Sequence, residues 1–266
     1  MDDFRRLVYD YYLENGRALP WRFESDPYKV YLSEIMLQQT PVERVLGKYE
    51  SFAACFPDPQ SLASAALDAV LKEWQGLGYN RRALYMRQAA IRVVDSFAGR
   101  MPQTVSDLEM LPGVGHATAC AIAAFAYGTP VVFLETNIRT VFIHFFFRDG
   151  ETVRDTELLP LVEQSLDRED PRNWYYALMD YGTMLKRKGI REHRRSASYK
   201  KQASFDGSDR QIRGRILKTL VECKSTSVPA LAGILSVPDA RLLKNLDRLR
   251  EEGFVREQGG VYSIID

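Results

Sequence analysis

The chain has 266 residues, 45% hydrophobic and 27% charged, the proportions of an ordinary globular protein long enough for two domains. No run of about 18 apolar residues occurs, so no membrane span is expected. The N-terminal MDDFRRLVYDYYLENG is acidic and amphipathic rather than a signal peptide, and Cys55, Cys120 and Cys223 form no CxxC pair. The expectation is a cytoplasmic, monomeric protein with no disulfide framework, no zinc or iron–sulfur site and no other metal centre.

The net charge of +1 hides an asymmetry. Residues 186–201 (KRKGIREHRRSASYKK) hold eight Lys or Arg against one Glu, leaving 28 basic and 34 acidic side chains elsewhere, a balance of −6. Basic charge concentrated in one segment suits a phosphate backbone, with Arg187, Lys188, Arg194 and Arg195 as the expected contacts; a solvated basic linker is the plainer reading.

In chain order, residues 3–14 read as an amphipathic helix broken at Asn15-Gly16, followed by Leu19-Pro20-Trp21-Arg22, an aromatic and a cation side by side. Asp26-Pro27 reads as an N-cap with proline at the first helical position. The helix from Tyr28 to about Thr40 is apolar almost all round, yet carries Glu34 one turn before Gln38. Apolar surroundings desolvate a carboxyl, raise its pKa and make it a usable proton donor; a glutamate on a rotated surface face is the commoner case. Helices are expected at 42–53, 61–66 and 67–76, the last ending in Gly76-Leu77-Gly78-Tyr79, and at 80–99, basic at its start with Arg81 and Arg82.

Residues 105–111 predict a short helix, Leu111-Pro112-Gly113-Val114-Gly115 a tight turn, and 116–127 a helix rich in small residues. Two glycines can take positive φ and bare the backbone, and such a turn opening a helix directs free N–H groups and the positive dipole end toward a phosphate. A plain helix–turn–helix corner fits the same string. After the apolar run Val131–Leu134 comes a carboxylate, Glu135. Helices at 137–147, 156–167 and 174–186 follow, the last with Asp180 among Leu178, Met179 and Tyr181. No alternating strand is apparent before residue 253, so the first 195 residues read as nearly all α.

Residues 196–208 are small and polar, a linker. Beyond it, helices at 209–222, about 228–235 and 239–252 and a hairpin around Gly259-Gly260 spell a winged helix over 209–266. Its third helix is expected to turn Leu242, Leu243, Leu246 and Leu249 inward and to show Arg241, Lys244, Asn245 and Arg248 to a DNA groove, although winged helices also dock proteins.

Five blocks, LPWR, DPYKVYLSEIMLQQT, GLGYNRRA, LPGVGHATA and LETNIRTV, in this order and at these intervals over about residues 3–190, resemble the helix–hairpin–helix (HhH-GPD) DNA glycosylases, and within them the adenine DNA glycosylase (MutY) type. The resemblance implies a mainly α, two-lobed fold over 1–195, with DNA across the cleft and with the N-terminus and the segment after 130 in one lobe. It implies roles as well. Glu34 falls at the catalytic acid, Glu135 at the position of the catalytic Asp, and Asn137 at the residue orienting it. Gln38 and Gln39 fall in the loop that enters the duplex, and Tyr79 and Asn80 in a second DNA-facing turn. Leu111, Gly113, Val114 and Gly115 fall in the phosphate-gripping hairpin, which in this family often holds a monovalent cation. Trp21, Arg22 and Asp180 fall near the adenine pocket. An extruded base would be protonated by one carboxyl while an anion stabilises the developing sugar cation.

Four departures qualify this. Glu135 replaces Asp; Ala117 stands where bifunctional relatives carry a lysine nucleophile, so lysine-dependent strand cleavage is not expected; no four-cysteine cluster motif follows the last glycosylase helix; and a winged helix replaces the domain that checks for 8-oxoguanine. Asn80 also replaces the second tyrosine of the GLGYY pattern. The implied function is a monofunctional base-excision repair glycosylase that removes adenine from mispairs in double-stranded DNA, with no iron–sulfur cluster. Removal of thymine or uracil opposite guanine, or non-catalytic DNA binding, are the alternatives.

Overall fold

The structure, a computed structural model, describes residues 1–147, 150–202 and 204–265. Ala203 of the expected linker and Asp266 at the end of the expected winged helix lie outside them. In chain order the elements are α1 (Asp2–Asn15), α2 (Pro27–Leu37), α3 (Val42–Cys55), α4 (Pro59–Ser64), α5 (Leu67–Trp74), α6 (Arg81–Ser96), α7 (Val105–Glu109), α8 (His116–Tyr127), α9 (Thr136–Phe146), α10 (Asp155–Ser165) and α11 (Pro171–Arg187). The C-terminal part adds α12 (Asp209–Cys223), β1 (Ser225–Ser227), α13 (Val228–Leu235), α14 (Asp239–Glu251), β2 (Val255–Gln258) and β3 (Val261–Ile264), and short 3-10 turns cover Pro20–Arg22 and Glu192–Arg195. No helix among the described residues is long and apolar enough to cross a membrane.

Local chemistry sets the helix ends. Asp26 accepts from the Tyr28 amide at 2.9 Å with Pro27 opening α2, and Asp58 accepts from the Ser61 amide at 2.7 Å to start α4. Helix α2 ends at Leu37 rather than near Thr40, because Gln39 turns left-handed (φ 53°) and Arg82 takes the carbonyls of Ile35, Met36 and Gln38. Gly128 in the left-handed region closes α8.

The chain divides into two compact units. The first comprises Met1–Val30, Gln103–Glu109 and Val114–Lys201, so the N-terminus and the segment after 130 share one body. Its core is aromatic. Phe4 meets Phe142 and Trp174 edge-on, and Phe125 stacks on Tyr176 with centroids 4.5 Å apart. Arg5 ties α1 to the end of α10 by donating to the carbonyls of Ser165 and Leu166, each at 2.7 Å. Helix α8 is buried from Ala119 to Phe125, so its small residues serve core packing.

The second unit comprises Tyr31–Pro102, Met110–Gly113 and Gln202–Asp266. Here α3, α5 and α6 pack around Phe52 and Trp74, and α12 lies against α5. The C-terminal elements form three helices and a three-stranded antiparallel sheet in the order β1-β3-β2, with Thr226 opposite Tyr262 and Glu257 opposite Tyr262 on the other side. Strand β1 is absent from the sequence reading. Ser225-Thr226-Ser227 has no apolar alternation, and pairing with β3 alone extends it. Lys224 Nζ reaches Asp68 at 2.6 Å, Glu252 accepts from both Arg81 (2.6 Å) and Arg213 (2.7 Å), and Arg210 donates to the Tyr79 hydroxyl at 3.0 Å.

Two expectations for α14 are corrected. Asn245 is fully buried and Leu243 is 41% exposed, the reverse of the reading from sequence. The inward stripe is Leu242, Asn245, Leu246 and Leu249; Asn245 tolerates burial by donating Nδ2 to the Arg241 carbonyl at 2.9 Å.

Candidate active site

In the first unit, the apolar run before α9 ends at Glu135, which becomes that helix's N-cap. Glutamate is a poor N-cap, yet here its side chain folds back so that Oε1 accepts from the amides of Asn137 (2.6 Å) and Ile138 (2.9 Å). Asn137 Nδ2 donates to the other oxygen at 3.2 Å. Burial pushes the Glu135 carboxyl above its usual range, opposed by the charge of Lys186, the two amides and Arg139. Helix α11 presses on this turn at Gly182, where a Cβ would lie 2.5 Å from the Asn137 carbonyl oxygen.

Trp21, Arg22 and Asp180 also come together in this unit. Asp180 is buried and accepts both Arg22 Nη atoms at 2.8 Å, Arg17 Nε at 2.6 Å and the Arg17 amide at 2.8 Å. Burial disfavours its charge, but the hydrogen bonds and charge of Arg22, then Arg17, outweigh that and hold the pKa below the usual carboxylate range. Arg22 further lies 4.4 Å from the Tyr176 ring centroid. Asp180 therefore anchors two arginines, and Trp21, next to Arg22 in the Pro20–Arg22 turn, is buried.

In the second unit, Glu34 is partly exposed on α2 between the buried residues Ser33 and Ile35. Four residues on, the loop that starts at Gln38 and Gln39 is built by Arg82, a residue the sequence reading passed over as part of a basic helix start. Arg82 is buried and donates Nη1 to the carbonyls of Ile35, Met36 and Gln38 (2.9, 2.8 and 2.6 Å). Its Nη2 donates to Thr40 Oγ1, Leu77 O and Gly78 O (2.9, 3.3 and 3.1 Å). Burial lowers its pKa to about 10, still fully charged at neutral pH. One guanidinium thus fixes both the Gln38–Gln39 loop and the Gly76–Tyr79 turn. In that turn Gly76, Gly78 and Tyr79 all take positive φ, and Tyr79 and the partly exposed Asn80 reach the surface. No local signal in the sequence marks this role, since the α2 carbonyls lie 44–47 residues away.

The hairpin between α7 and α8 is a correction in part. Gly113 has φ +80° and a Cβ there would sit 3.0 Å from Tyr85, but Gly115 has φ −92° and nothing within 4 Å of its would-be Cβ. Gly115 therefore has a backbone that any residue could adopt and open space where a Cβ would stand. Leu111 and Val114 are buried, and Gln38 Nε2 donates to the Gly113 carbonyl at 3.3 Å.

After α11, the basic segment folds back on its own unit. Ser196 bridges Val153, Ser198 donates to Asp155 at 3.1 Å, and Arg195 donates to Glu192 (2.7 Å) and the Glu151 carbonyl (3.1 Å). Arg187, Lys188 and Arg194 remain exposed, whereas Arg195 is turned to this scaffold. On α14, Lys244 and Arg248 are exposed, and Arg241 is drawn to Asp209 at 2.9 Å. The iron–sulfur cluster of the resembled family does not fit this chain. Lys186–Lys201 contains no cysteine, Cys55 and Cys223 are exposed on α3 and α12, and Cys120 is buried in α8 with its thiol raised to about 11, chiefly by burial.

Residues 32–160 match the family model described as "HhH-GPD superfamily base excision DNA repair protein". The chain is 37% identical over 187 residues to the adenine DNA glycosylase of Buchnera aphidicola subsp. Baizongia pistaciae, covering 68% of this chain and 52% of that protein. It therefore spans about half the length of that relative. Against the adenine DNA glycosylase of Mycolicibacterium smegmatis it is 30% identical over 259 residues, covering 91% of this chain and 88% of the relative. Among solved structures, a thermostable thymine-DNA glycosylase superposes with a TM-score of 0.64 at 24% identity, over 69% of this chain and 88% of that one, a likeness of fold. The M. smegmatis relative matches nearly from end to end, and on that match the chain belongs to the HhH-GPD superfamily of base excision DNA repair proteins, among the relatives of the adenine DNA glycosylases.

Proposed function

We propose that this chain is a monofunctional DNA N-glycosylase that removes adenine from mispairs in double-stranded DNA. The observation that carries the reading is Glu135, a carboxylate fixed by two amides and Asn137 at the start of α9, at the position where the family's catalytic carboxylate falls. Glu34 supplies the proton. As the C1′–N9 bond breaks, its electron pair leaves with the base, Glu34 protonates the base, and Glu135 faces the cation developing on the sugar. Water then adds at C1′ and gives a proton back to the Glu34 carboxylate, leaving an abasic site and restoring the acid.

The remaining parts grip and open the duplex. Gln38 and Gln39 fill the gap left by the extruded adenine, Tyr79 and Asn80 contact the neighbouring backbone, and the Leu111–Gly115 hairpin holds a phosphate. Any monovalent cation at that hairpin would use its backbone carbonyls, of which Gly113 O is already engaged by Gln38. Trp21 lines the base pocket, which Arg22 and Asp180 brace. Arg187, Lys188 and Arg194 add charge toward the backbone, and Lys244 and Arg248 give the winged helix a second DNA-facing surface. The protein works as a monomer on chromosomal DNA and needs no iron–sulfur cluster. With Ala117 in place of a lysine it leaves the abasic strand uncut.

The test is single-turnover incubation with labelled duplexes carrying A·G, A·8-oxoguanine, A·C, T·G and U·G, followed by alkali to reveal abasic sites. Cleavage of the adenine strand after alkali, abolished by Glu34→Gln with duplex affinity kept within a few-fold, is expected. Abasic sites only at T·G or U·G would reassign the base. No abasic site on any duplex would make the chain a DNA-binding protein.

A further inference from the structure

Glu135 has to be an anion in this reaction, yet its burial works against the charge. Two cations face it. Arg139, on the next turn of α9, gives Nε and Nη2 to Asp155 at 2.9 and 2.7 Å, so its charge is shared with that carboxylate, and it acts on Glu135 less than Lys186 does. The other is Lys186 on α11. Helices α9 and α11 meet at Gly182, whose missing Cβ lets the Asn137 carbonyl come close. Residues four apart share a helix face, so Lys186 stands one turn along the face that meets α9, and its charge acts on the Glu135 carboxyl. Lys186 is partly buried, and burial pushes its pKa below the usual lysine range; the Glu135 charge works against that shift, and those of Arg17 and Arg191 add to it.

The other charged groups here are committed elsewhere or repel Lys186. Arg17 is held by Asp180 at 2.6 Å. His193, in the 3-10 turn packed on α9, lies 3.5 Å from Thr140 Oγ1, and burial, then the charges of Lys186, Arg194 and Arg191, push its pKa down. Lys186 is left as the cation whose charge is matched to Glu135.

We propose that Lys186 is a positioning residue, the counterion that keeps the Glu135 carboxylate ionised and aimed so that a glutamate can serve in this site. Nothing in the basic run of the sequence distinguishes Lys186 from its neighbours; the packing of α11 on α9 does. The inference rests on the proposed glycosylase reading only for the rate it predicts, and the charge pairing is readable without substrate.

Two measurements on Lys186→Met and Lys186→Arg test it. First, ¹³C-carboxyl NMR of Glu-labelled protein, with Glu135→Gln to assign the signal, follows Glu135 through a pH titration without DNA. The signal should titrate at higher pH in Lys186→Met and as in the parent in Lys186→Arg. Second, single-turnover excision against pH should show the acid limb moved to higher pH in Lys186→Met. At the acid end the rate should be about tenfold lower or worse, as for removal of one opposite charge at close range, with the alkaline plateau and duplex affinity retained. Lys186→Arg should restore the limb.

An unmoved Glu135 titration in Lys186→Met overturns the proposal whether or not the protein is a glycosylase. A rate loss equal at every pH, unrescued by arginine, would make Lys186 a packing residue. An adduct with abasic DNA trapped by borohydride through Lys186 would make it a nucleophile at C1′ and also refute the counterion role. A parent inactive on every duplex while the NMR shift holds would refute the function and leave the pairing standing.

Discussion

Replacing Arg82 by methionine keeps the length of the stem and removes the fork that joins two loops. Six acceptors lose a donor, but not all are orphaned. The Gly78 carbonyl still accepts from Trp74 Nε1 at 3.0 Å, and Gln38 O still accepts from Thr40 Oγ1 at 3.3 Å. The carbonyls of Met36 and Leu77, both at buried residues, depend on the guanidinium. Two buried acceptors left unsatisfied cost about 1–3 kcal/mol each, partly offset because a cation no longer has to be held out of water, so the net loss is about 3–4 kcal/mol. At roughly 2–4 °C per kcal/mol for a body of this size, the unit carrying residues 31–102 should melt about 10 °C lower. Lysine offers three donors from one point and should recover about half of that. Differential scanning calorimetry reads the melting, and hydrogen exchange at the Gln38–Thr40 and Leu77–Tyr79 amides should show both loops loosening together. A Met variant melting within about 2 °C of the parent would mean that water satisfies these carbonyls and that Arg82 is not what builds the loops.

Four further outcomes are expected. Glu135→Asp keeps an N-cap but withdraws the carboxylate by about an ångström, so excision should slow about a hundredfold with melting unchanged; equal or faster single-turnover rates would show the site is not built around glutamate. Neutralising Arg187, Lys188 and Arg194 should weaken all duplexes alike and flatten the slope of log affinity against log salt by about 2–3, and an unchanged slope would make the segment a solvated scaffold. Gly113→Ala should destabilise by about 1 kcal/mol or more because of its φ and Tyr85, whereas Gly115→Ala should melt within about 0.5 kcal/mol of the parent but bind DNA more weakly; tight binding by the second would remove the hairpin from the interface. Asp180 has a depressed folded pKa, so the stability it contributes is present above its unfolded value near 3.9 and is lost as pH falls through the lower folded value. Asp180→Asn should therefore cost about 3–5 kcal/mol at neutral pH and lose that acid dependence in urea titrations; a neutral-pH midpoint like the parent's would rule out the buried triad as an anchor.

Helix positions were legible almost throughout, because caps such as Asp26 and Asp58 and stripes such as that of α9 are local signals. What escaped was decided by partners distant in sequence. Strand β1 exists because β3 pairs with it. Arg82 looked like half of a basic pair because nothing near it in sequence shows that the end of α2 presents three carbonyls to it. In α14, leucines at both 242 and 243 left the helix free to rotate by one position, and the sequence offered no way to see that Asn245 could go inward. At the site, Glu135 and Asn137 were recognisable from their string, but Lys186 sat unmarked in a charge run. Arg195 illustrates the converse: read as a phosphate contact, it spends its donors on Glu192 and Glu151.

The docking of the C-terminal elements on the helices of residues 31–102 changes how their role can be asked. Helix α12 lies on α5, Lys224 holds Asp68, Glu252 holds Arg81, and Arg210 holds the hydroxyl of Tyr79. Tyr79 is thus fixed from two distant stretches of chain, its backbone by the turn that Arg82 clamps and its ring by a residue 131 positions later. A chain cut after Lys201 would uncover one side of α5 and release that tyrosine at the same time, so any lost activity would report misplacement rather than missing DNA contacts. Changes at Lys244 and Arg248, exposed and clear of the docking contacts, leave Tyr79 where it is and question the winged helix alone.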